Sequence, residues 1–383
     1  MARARIGSTI KKKLGMVVYG DPFTGKSTFA SQFLYMHNED GSPMKVLYID
    51  CESGSIDYYI DDIEAKGGNV EELYIVYTQS LGEVLNLIDK IKNDDDFYLI
   101  DDHGEETDEI FLDKQGNPWR PDAMVIDGIT VLSSTVKQGL VEFSKKRAKV
   151  KADDAGLVGD ARLVKVEGAG MELKDYNAVK FKQSNLILSL ISSGIHWICT
   201  AREADEKVYE KDADGKQISV STGKKVPEGF GKDCVFNAHT SIRFMRDEYG
   251  DIIGICDKDR SCVHPNETIP NPQLTDWQCV IDQSAGKRSF VVKNDLASAV
   301  ATEQKLYTDE IMSSMGASNV AVENATAKDV LAEINALMKS MSQDARNEKK
   351  NALTAASYPA TPSAIGKITD VFTLNKILEI VKA

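Results

Sequence analysis

The octapeptide Gly-Asp-Pro-Phe-Thr-Gly-Lys-Ser at residues 20–27 restricts the possible folds of this chain more than any other segment. It fits G-x-x-x-x-G-K-[ST], the pattern of a phosphate-binding P-loop. The apolar run LGMVVY before it predicts a buried strand, and STFASQFLYMH after it predicts a helix. The N–H groups of the loop and the positive end of that helix can therefore surround a phosphate group.

The residues of this motif have separate expected roles in binding a nucleotide. Lys26 is expected to reach the β- and γ-phosphate oxygens, and Ser27 is expected to ligate Mg²⁺. The sequence therefore predicts ATP and Mg²⁺ as ligands. The predicted nucleotide contacts in this segment are Gly20, Asp21, Pro22, Phe23, Thr24, Gly25, Lys26, Ser27 and Thr28.

Strands and helices are predicted to alternate after the P-loop. Lys45–Asp50 and the segment ELYIVYTQS predict two further strands, and LGEVLNLIDKIKN has the apolar spacing of a helix. DAMVIDG and Gly194–Glu203 predict two more strands, separated by a long, charged helical region at 133–193. This alternation predicts an α/β fold with a mainly parallel central sheet.

Changes in composition along the chain predict its division into segments. We expect a basic N-terminal arm at 1–13, an ATPase core at 14–300 and a small C-terminal helical domain at 305–383. An acidic, turn-rich hairpin insertion is expected inside the core, at about 94–121.

Composition limits the cellular setting and the partners. The 383 residues are 42% hydrophobic and 27% charged, as in a soluble globular protein. No apolar run approaches the ~20 residues of a membrane span, and no signal-peptide core follows the basic N-terminus. We therefore expect a cytoplasmic protein without a membrane partner. The net charge of −13 is unusual for a dedicated nucleic-acid binder, although a local basic patch can suffice.

The six cysteines are scattered and form no C-x-x-C pair, so free thiols are expected. Cys256, Cys262, His264 and Cys279 have a spacing that matches no familiar zinc site.

Hydrolysis at a P-loop needs a carboxylate near Mg²⁺ and a base for the attacking water. Two apolar segments, FYLIDD and AMVIDG, end in candidates for the Mg²⁺ carboxylate, namely Asp101 and Asp127. We favour Asp127, because Asp101 lies in a run of acidic residues that leads into the predicted hairpin. Glu52, just past the second strand, is the candidate base.

The order of P-loop, YIDCES, YTQSLGEVLNLIDKI and MVIDGITVL resembles the RecA-like ATPase core. The resemblance is greatest to phage recombinases of the RecA/UvsX type and to phage RecA-like single-strand annealing ATPases. If the protein is phage-encoded, the expected location is the cytoplasm of a bacterial host. It covers about residues 14–300 and implies a RecA-like P-loop NTPase core. The family's Asp-x-Glu motif matches Asp50-Cys51-Glu52 and implies that Glu52 is the catalytic base.

The same resemblance implies roles for three residues farther along the chain. Tyr59, with Tyr58 beside it, occupies the position at which the family stacks a tyrosine on adenine. Thr200 occupies the family's sensor position, where RecA has Gln. Lys293 matches one of two lysines that reach the ATP of a neighbouring subunit, whereas the second position is Asp295.

A recombinase of this kind needs a surface for single-stranded DNA. The run KKRAKVK lies where the family places its first DNA loop, and a pair of lysines lies near the end of the expected second loop. Aromatic residues are sparse there, which favours contacts to phosphates without sequence selection. The candidate DNA contacts are Lys145, Lys146, Arg147, Lys149, Lys151, Lys224 and Lys225.

Three functions remain open on this sequence. The first is a DNA-dependent RecA-like ATPase that promotes annealing, strand exchange or repair as a homo-oligomeric ring or filament. The second is a P-loop DNA motor, either a helicase or a packaging ATPase. The third is an assembly protein regulated by nucleotide. Packaging motors usually carry the base directly after the Mg²⁺ carboxylate, where this chain has Gly128, so the first function is favoured.

Overall fold

The structure is a computed structural model with two compact units, Met1–Leu296 and Ala297–Ala383. Lys293 and Asp295, and with them most of the strand predicted from RSFVVKND, lie outside the described residues. The structure describes residues 10–211, 217–288, 299–306, 327–356, 358–361, 365, 368 and 371–382.

The first unit is built on one large sheet. Its strands are β1 (Gly15–Gly20), β2 (Val46–Asp50), β3 (Leu73–Tyr77), β6 (Ala123–Asp127), β7 (His196–Lys211), β8 (Gln217–Pro227), β9 (Thr240–Arg246), β10 (Ile252–Asp259) and β11 (Thr268–Pro270). Their order is β11-β10-β9-β1-β7-β6-β2-β3, and β8 pairs with β7 outside this path. All pairs from β9 to β3 along this order are parallel, whereas β10 is antiparallel to both of its neighbours.

Helices cover both faces of this sheet. They are α1 (Lys26–Ser31), α2 (Ile60–Ala65), α3 (Leu81–Asn93), α4 (Ile129–Asp154), α5 (Gly159–Glu167), α6 (Leu173–Ile191), α7 (Gly231–Asn237) and α8 (Gln278–Asp282). One apolar core centres on Phe29, Phe33 and Trp277, and the other centres on Trp119 and Trp197. Every residue of β1, β2 and β6 is buried, as expected of strands covered on both faces. The chain thus has the predicted α/β fold, with a mainly parallel central sheet around the P-loop strand.

Strand β7 is much longer than the sequence indicates. Beyond Glu203 it leaves the central sheet and pairs with β8 in an antiparallel hairpin, with Val208 opposite Val220. The segment that was expected to end a DNA loop is therefore a strand, and Lys224 and Lys225 lie on it. The prediction of a loop was wrong because the hairpin is stabilised by its own backbone pairing, which apolar periodicity does not report.

The acidic segment forms a separate ribbon of β4 (Tyr98–Ile100) and β5 (Glu106–Ile110). Asp101 lies in its turn, where one carboxylate oxygen accepts the N–H groups of His103 and Glu105 at 2.8 and 2.9 Å. FYLIDD is therefore not a strand of the central sheet.

The second unit contains α9 (Ala327–Ser340), α10 (Gln343–Ala355) and α11 (Val371–Lys382), and residues 299–306 are also helical. The apolar stripes of α9 and α11 meet in a small core that includes Val330, Ile334, Leu374 and Ile377. In the described part of the chain, no helix is long and apolar enough to cross a membrane.

His196, at the start of β7, is a buried histidine, and its side chain is within the first unit's core. Its Nδ1 accepts the N–H of Leu14 at 3.1 Å, which fixes the chain just before the P-loop strand. Burial, followed by the charges of Lys13 and Lys11, lowers the pKa of His196 well below its ordinary value. The folded protein therefore keeps this imidazole neutral.

We expect the free energy of unfolding to fall in acid because of this group. The unfolded chain protonates His196 below about pH 6.5, so the contribution of His196 to the free energy of unfolding is complete above that pH. This contribution is lost, at up to about 1.4 kcal/mol per pH unit, as the pH falls toward the lowered pKa of His196 in the folded state. In urea unfolding between pH 7.5 and 5.5, the free energy of unfolding of His196→Gln should vary less with pH than that of the original protein. His239, whose pKa is also lowered by burial, is common to both proteins, so identical slopes would contradict this assignment.

Candidate functional site

A cavity of about 420 Å³ lies where β1, β2 and β6 end and where β7 leaves the central sheet, the edge at which parallel sheets bind ligands. The cavity is lined by most of the P-loop and by residues from β6 and β7 and from the segments that follow β2 and β6. These lining residues are Pro22, Phe23, Thr24, Gly25, Lys26, Ser27, Thr28, Glu52, Ser55, Tyr58, Tyr59, Asp127, Gly128, Thr200, Ala201 and Arg202. Parallel strand order thus brings together segments that are far apart in sequence.

The P-loop is held in a conformation that needs glycine at its first position. A Cβ on Gly20 would lie 1.9 Å from the carbonyl oxygen of Phe244, so no side chain fits there. Phe23 has a positive φ of 57°, and its carbonyl accepts a hydrogen bond from Arg246 at 2.9 Å. The neighbouring β9 therefore fixes the shape of the loop.

Lys26 points along the loop toward its first residues. Its Nζ donates to the carbonyl oxygens of Gly20 and Asp21 at 3.1 and 2.5 Å. Burial lowers the pKa of Lys26, while the nearby carboxylates of Glu52 and Asp127 act in the opposite direction. A partly desolvated ammonium group whose hydrogen-bond partners are neutral oxygens, including the Thr24 hydroxyl at 3.5 Å, is suited to accept an anionic phosphate as a stronger partner.

Asp127, at the end of β6, receives hydroxyl groups on both carboxylate oxygens. Ser27 and Thr200 donate to Oδ1, the former at 3.1 Å and the latter at 2.5 Å. Tyr48 donates to Oδ2 at 2.7 Å, and the Ser55 hydroxyl lies 2.9 Å from the same oxygen. Burial and the charge of Asp127 raise the pKa of Tyr48 well above its ordinary value, so the phenol remains a donor.

The Ser27 and Asp127 side chains fit the predicted Mg²⁺ site, because both offer oxygen ligands and they lie in contact. When bound, the ion would neutralise charge on the β- and γ-phosphates. Among the described residues, no group of three or more His, Cys, Asp or Glu side chains could hold a metal ion. None of the six cysteines forms a disulfide bond, including Cys256, Cys262 and Cys279.

Glu52 is positioned by a tight turn that Asp50 organises. One oxygen of the buried Asp50 carboxylate accepts the Glu52 N–H at 2.8 Å, and the other accepts the N–H groups of Gly54 and Ser55 at 3.0 and 2.6 Å. The Glu52 side chain then lies over Gly128, where an added Cβ would be 2.7 Å from its Cγ. In this arrangement a side chain at position 128 would therefore collide with the Glu52 side chain.

The hydroxyl of Thr200 makes two hydrogen bonds within the site. It donates to Asp127 and accepts the N–H of Gly128 at 2.8 Å. Thr200 thus orients the Asp127 carboxylate and the backbone after it. A residue that sequence analysis did not select, Arg202, lies two positions farther along β7, and its Nη2 donates to Glu52 Oε1 at 3.1 Å.

Two tyrosines lie at the mouth of the cavity. Tyr59 precedes α2 and is 39% exposed, whereas Tyr58 is 89% exposed. Stacking of either ring on adenine remains a prediction.

Comparison with known proteins places this chain in a family. A family described as an AAA domain matches residues 12–243, more than half of the chain. The chain belongs to the AAA domain family. No curated protein matches it significantly. Among solved structures, it is similar to a KaiC-like protein from the hyperthermophilic archaeon Pyrococcus horikoshii, with 14% identity and a TM-score of 0.36. That match covers 70% of this chain and 99% of the other.

The basic run of this AAA-domain protein lies on α4 and is largely paired with acidic residues. Lys145 contacts Glu142 and Glu167, Arg147 contacts Asp175, and Lys151 lies 3.5 Å from Glu172. Lys146 and Lys149 are exposed. Ion pairs therefore reduce the positive charge that this helix can offer to DNA.

Replacing Asp127 with Asn should reduce Mg²⁺-dependent ATP turnover by at least about 10- to 100-fold, because the ion loses a charged partner and the four hydroxyl contacts rearrange. Asp101→Asn is the matched control and should leave ATP turnover unchanged, since Asp101 lies in the β4–β5 turn. Steady-state turnover at several Mg²⁺ concentrations, with thermal melting to check folding, would test this. If only Asp101→Asn loses ATP turnover, the Mg²⁺ carboxylate is Asp101 and not Asp127.

Proposed function

We propose that this AAA-domain protein binds and hydrolyses ATP while acting on single-stranded DNA, in phage-type recombination, annealing or repair. We further propose that it works as a homo-oligomeric ring or filament. The observation that carries the proposal is the continuity of β7. This strand places Thr200 and Arg202 in the ATP cavity and then extends into the β7–β8 hairpin. A ligand on that hairpin can therefore influence hydrolysis through one continuous strand.

The hairpin offers cations suited to a phosphate backbone. Lys224 is exposed on β8, and Lys225 beside it is half-buried. Lys225 is bound to Asp205 at 3.0 Å and lies 3.7 Å from Glu203, which also binds Arg243. A DNA phosphate would compete with Asp205 for Lys225, and such a change would occur close to the point where β7 leaves the sheet.

The arrangement of Glu52 and Gly128 supports this function over a packaging motor with its base next to the Mg²⁺ carboxylate. Glu52 occupies the space that a side chain at position 128 would need, and Gly128 has a positive φ of 94°. In this proposal the base, Glu52, follows β2 and the Mg²⁺ carboxylate ends the neighbouring strand β6.

The test is ATP hydrolysis with and without single-stranded DNA at two salt concentrations. We expect DNA to stimulate turnover at low salt and the stimulation to fade at high salt, because phosphate contacts release counterions. Lys224→Ala/Lys225→Ala should lose stimulation while keeping DNA-independent turnover. Lys305→Ala/Lys339→Ala, which removes the same charge from the second unit, is the control.

Other results would redirect the proposal. Hydrolysis that no DNA affects would favour the nucleotide-regulated assembly protein. ATP-driven unwinding or translocation along duplex DNA would favour the motor. Sedimentation with and without ATP would test the oligomer, and a monomer under every condition would contradict it.

A further inference from the structure

Arg202 is a cation in the ATP cavity whose role the P-loop motif does not define. Its guanidinium contacts Glu52 Oε1 at 3.1 Å, with 59% of the Arg202 side chain and 37% of the Glu52 side chain exposed. The same cavity is lined by Lys26 and Ser27, the residues expected around the phosphates and Mg²⁺. The candidate base is therefore bound by a positive charge that faces the phosphate site.

The backbone of Arg202 is fixed although its side chain is exposed. Its N–H donates to Thr130 Oγ1 at 3.0 Å, and its carbonyl accepts the N–H of Glu228 at 2.7 Å. Arg202 on β7 pairs in register with Gly20 on the neighbouring strand β1, and Gly20 is the first P-loop residue. The strand thus holds Arg202 beside the loop, and only the guanidinium needs to move in order to exchange partners.

The exchange partner that fits is a terminal phosphate. An ion pair as exposed as Arg202–Glu52 is weakly bound, whereas a phosphate offers more negative charge and several acceptor oxygens to a planar guanidinium. Thr200, the residue at the expected sensor position, cannot take this role with a hydroxyl that already donates to Asp127.

We propose that Arg202 recognises the γ-phosphate of ATP and, by leaving Glu52 for it, frees that carboxylate to orient the attacking water. ADP lacks the group that draws Arg202 away, so the ion pair with Glu52 persists when ADP is bound. This inference rests on the proposed ATPase function and assigns the discrimination between ATP and ADP to one side chain.

Binding constants for ADP and for a non-hydrolysable ATP analogue, measured by calorimetry with Mg²⁺, test the assignment. Arg202→Ala should lose about 10- to 100-fold in affinity for the analogue, the usual effect of removing a hydrogen bond to a charged group, with affinity for ADP unchanged. Arg202→Lys should restore part of the loss. Arg162→Ala is the matched control, because Arg162 lies on α5 and contacts Asp153.

A double-mutant comparison separates the exchange from a simple contact. Glu52→Gln removes the competing charge, so it should bind the analogue more tightly than the original protein and leave ADP affinity unchanged. In the Glu52→Gln/Arg202→Ala protein this gain should disappear, since the gain acts through Arg202.

Two different failures can be told apart. If neither the original protein nor any of its variants binds the ATP analogue or ADP, the ATPase proposal itself is wrong. If both nucleotides bind and Arg202→Ala changes the two affinities equally or not at all, only the assignment of Arg202 is wrong. Tighter analogue binding that survives in the double variant would also overturn the exchange.

Discussion

Glu52→Gln is expected to bind ATP at least as well as the original protein and to lose turnover by about 10²- to 10⁴-fold, the usual effect of removing a general base. The amide has nearly the same shape as the carboxylate, so the turn organised by Asp50 and the packing over Gly128 should persist. What is lost is the group that can accept a proton from the attacking water.

The measurement is single-turnover hydrolysis of radiolabelled ATP, with nucleotide binding determined on the same preparation. Glu64→Gln, an exposed glutamate on α2, controls for the loss of one carboxylate and should leave both quantities unchanged. Undiminished hydrolysis by Glu52→Gln would place the base elsewhere.

Lys26→Ala is expected to abolish detectable turnover and to weaken ATP binding by at least about 10²-fold, because more than one hydrogen bond to a charged group is removed. The Lys26 ammonium lies against the carbonyls of Gly20 and Asp21, at the end of the loop where the phosphates are expected. ADP binding should weaken as well, since Lys26 is expected to reach the β-phosphate.

This double loss distinguishes Lys26 from Arg202, whose removal should affect ATP alone. Calorimetry with both nucleotides measures it, and circular dichroism checks that the variant is folded. Lys114→Ala is the control, because Lys114 is a surface lysine paired with Glu71. ATP turnover that continues in Lys26→Ala would exclude the P-loop as the site of hydrolysis.

The parts of the fold that sequence predicts are those with strong local signals. The strands before Gly20 and around Ile49 and Val125 are continuous apolar runs, and the structure buries each of them completely. The helical region after Asp127 is also present, divided into α4, α5 and α6. The β7–β8 hairpin escaped prediction, because its polar strands are stabilised by pairing with each other and not by burial.

In the candidate site, too, the residues with local sequence signals were predicted and those that depend on tertiary contacts were not. Lys26, Ser27, Glu52 and Asp127 each belong to a recognisable motif, and the structure brings them to one cavity. The hydroxyls of Tyr48 and Ser55 on Asp127 could not be predicted, because those contacts depend on which strands become neighbours. Arg202 was missed for a related reason. Its meaning depends on its distance to Glu52, which is 150 residues away in sequence.

A crystal structure of the Glu52→Gln protein with ATP and Mg²⁺ tests the central claim most directly. We predict that the triphosphate lies in the loop of residues 20–27, with Mg²⁺ bound near Ser27 and Asp127. We also predict that residue 52 lies next to the γ-phosphate, within reach of a water molecule. ATP bound outside this loop, or a γ-phosphate directed away from residue 52, would contradict the account.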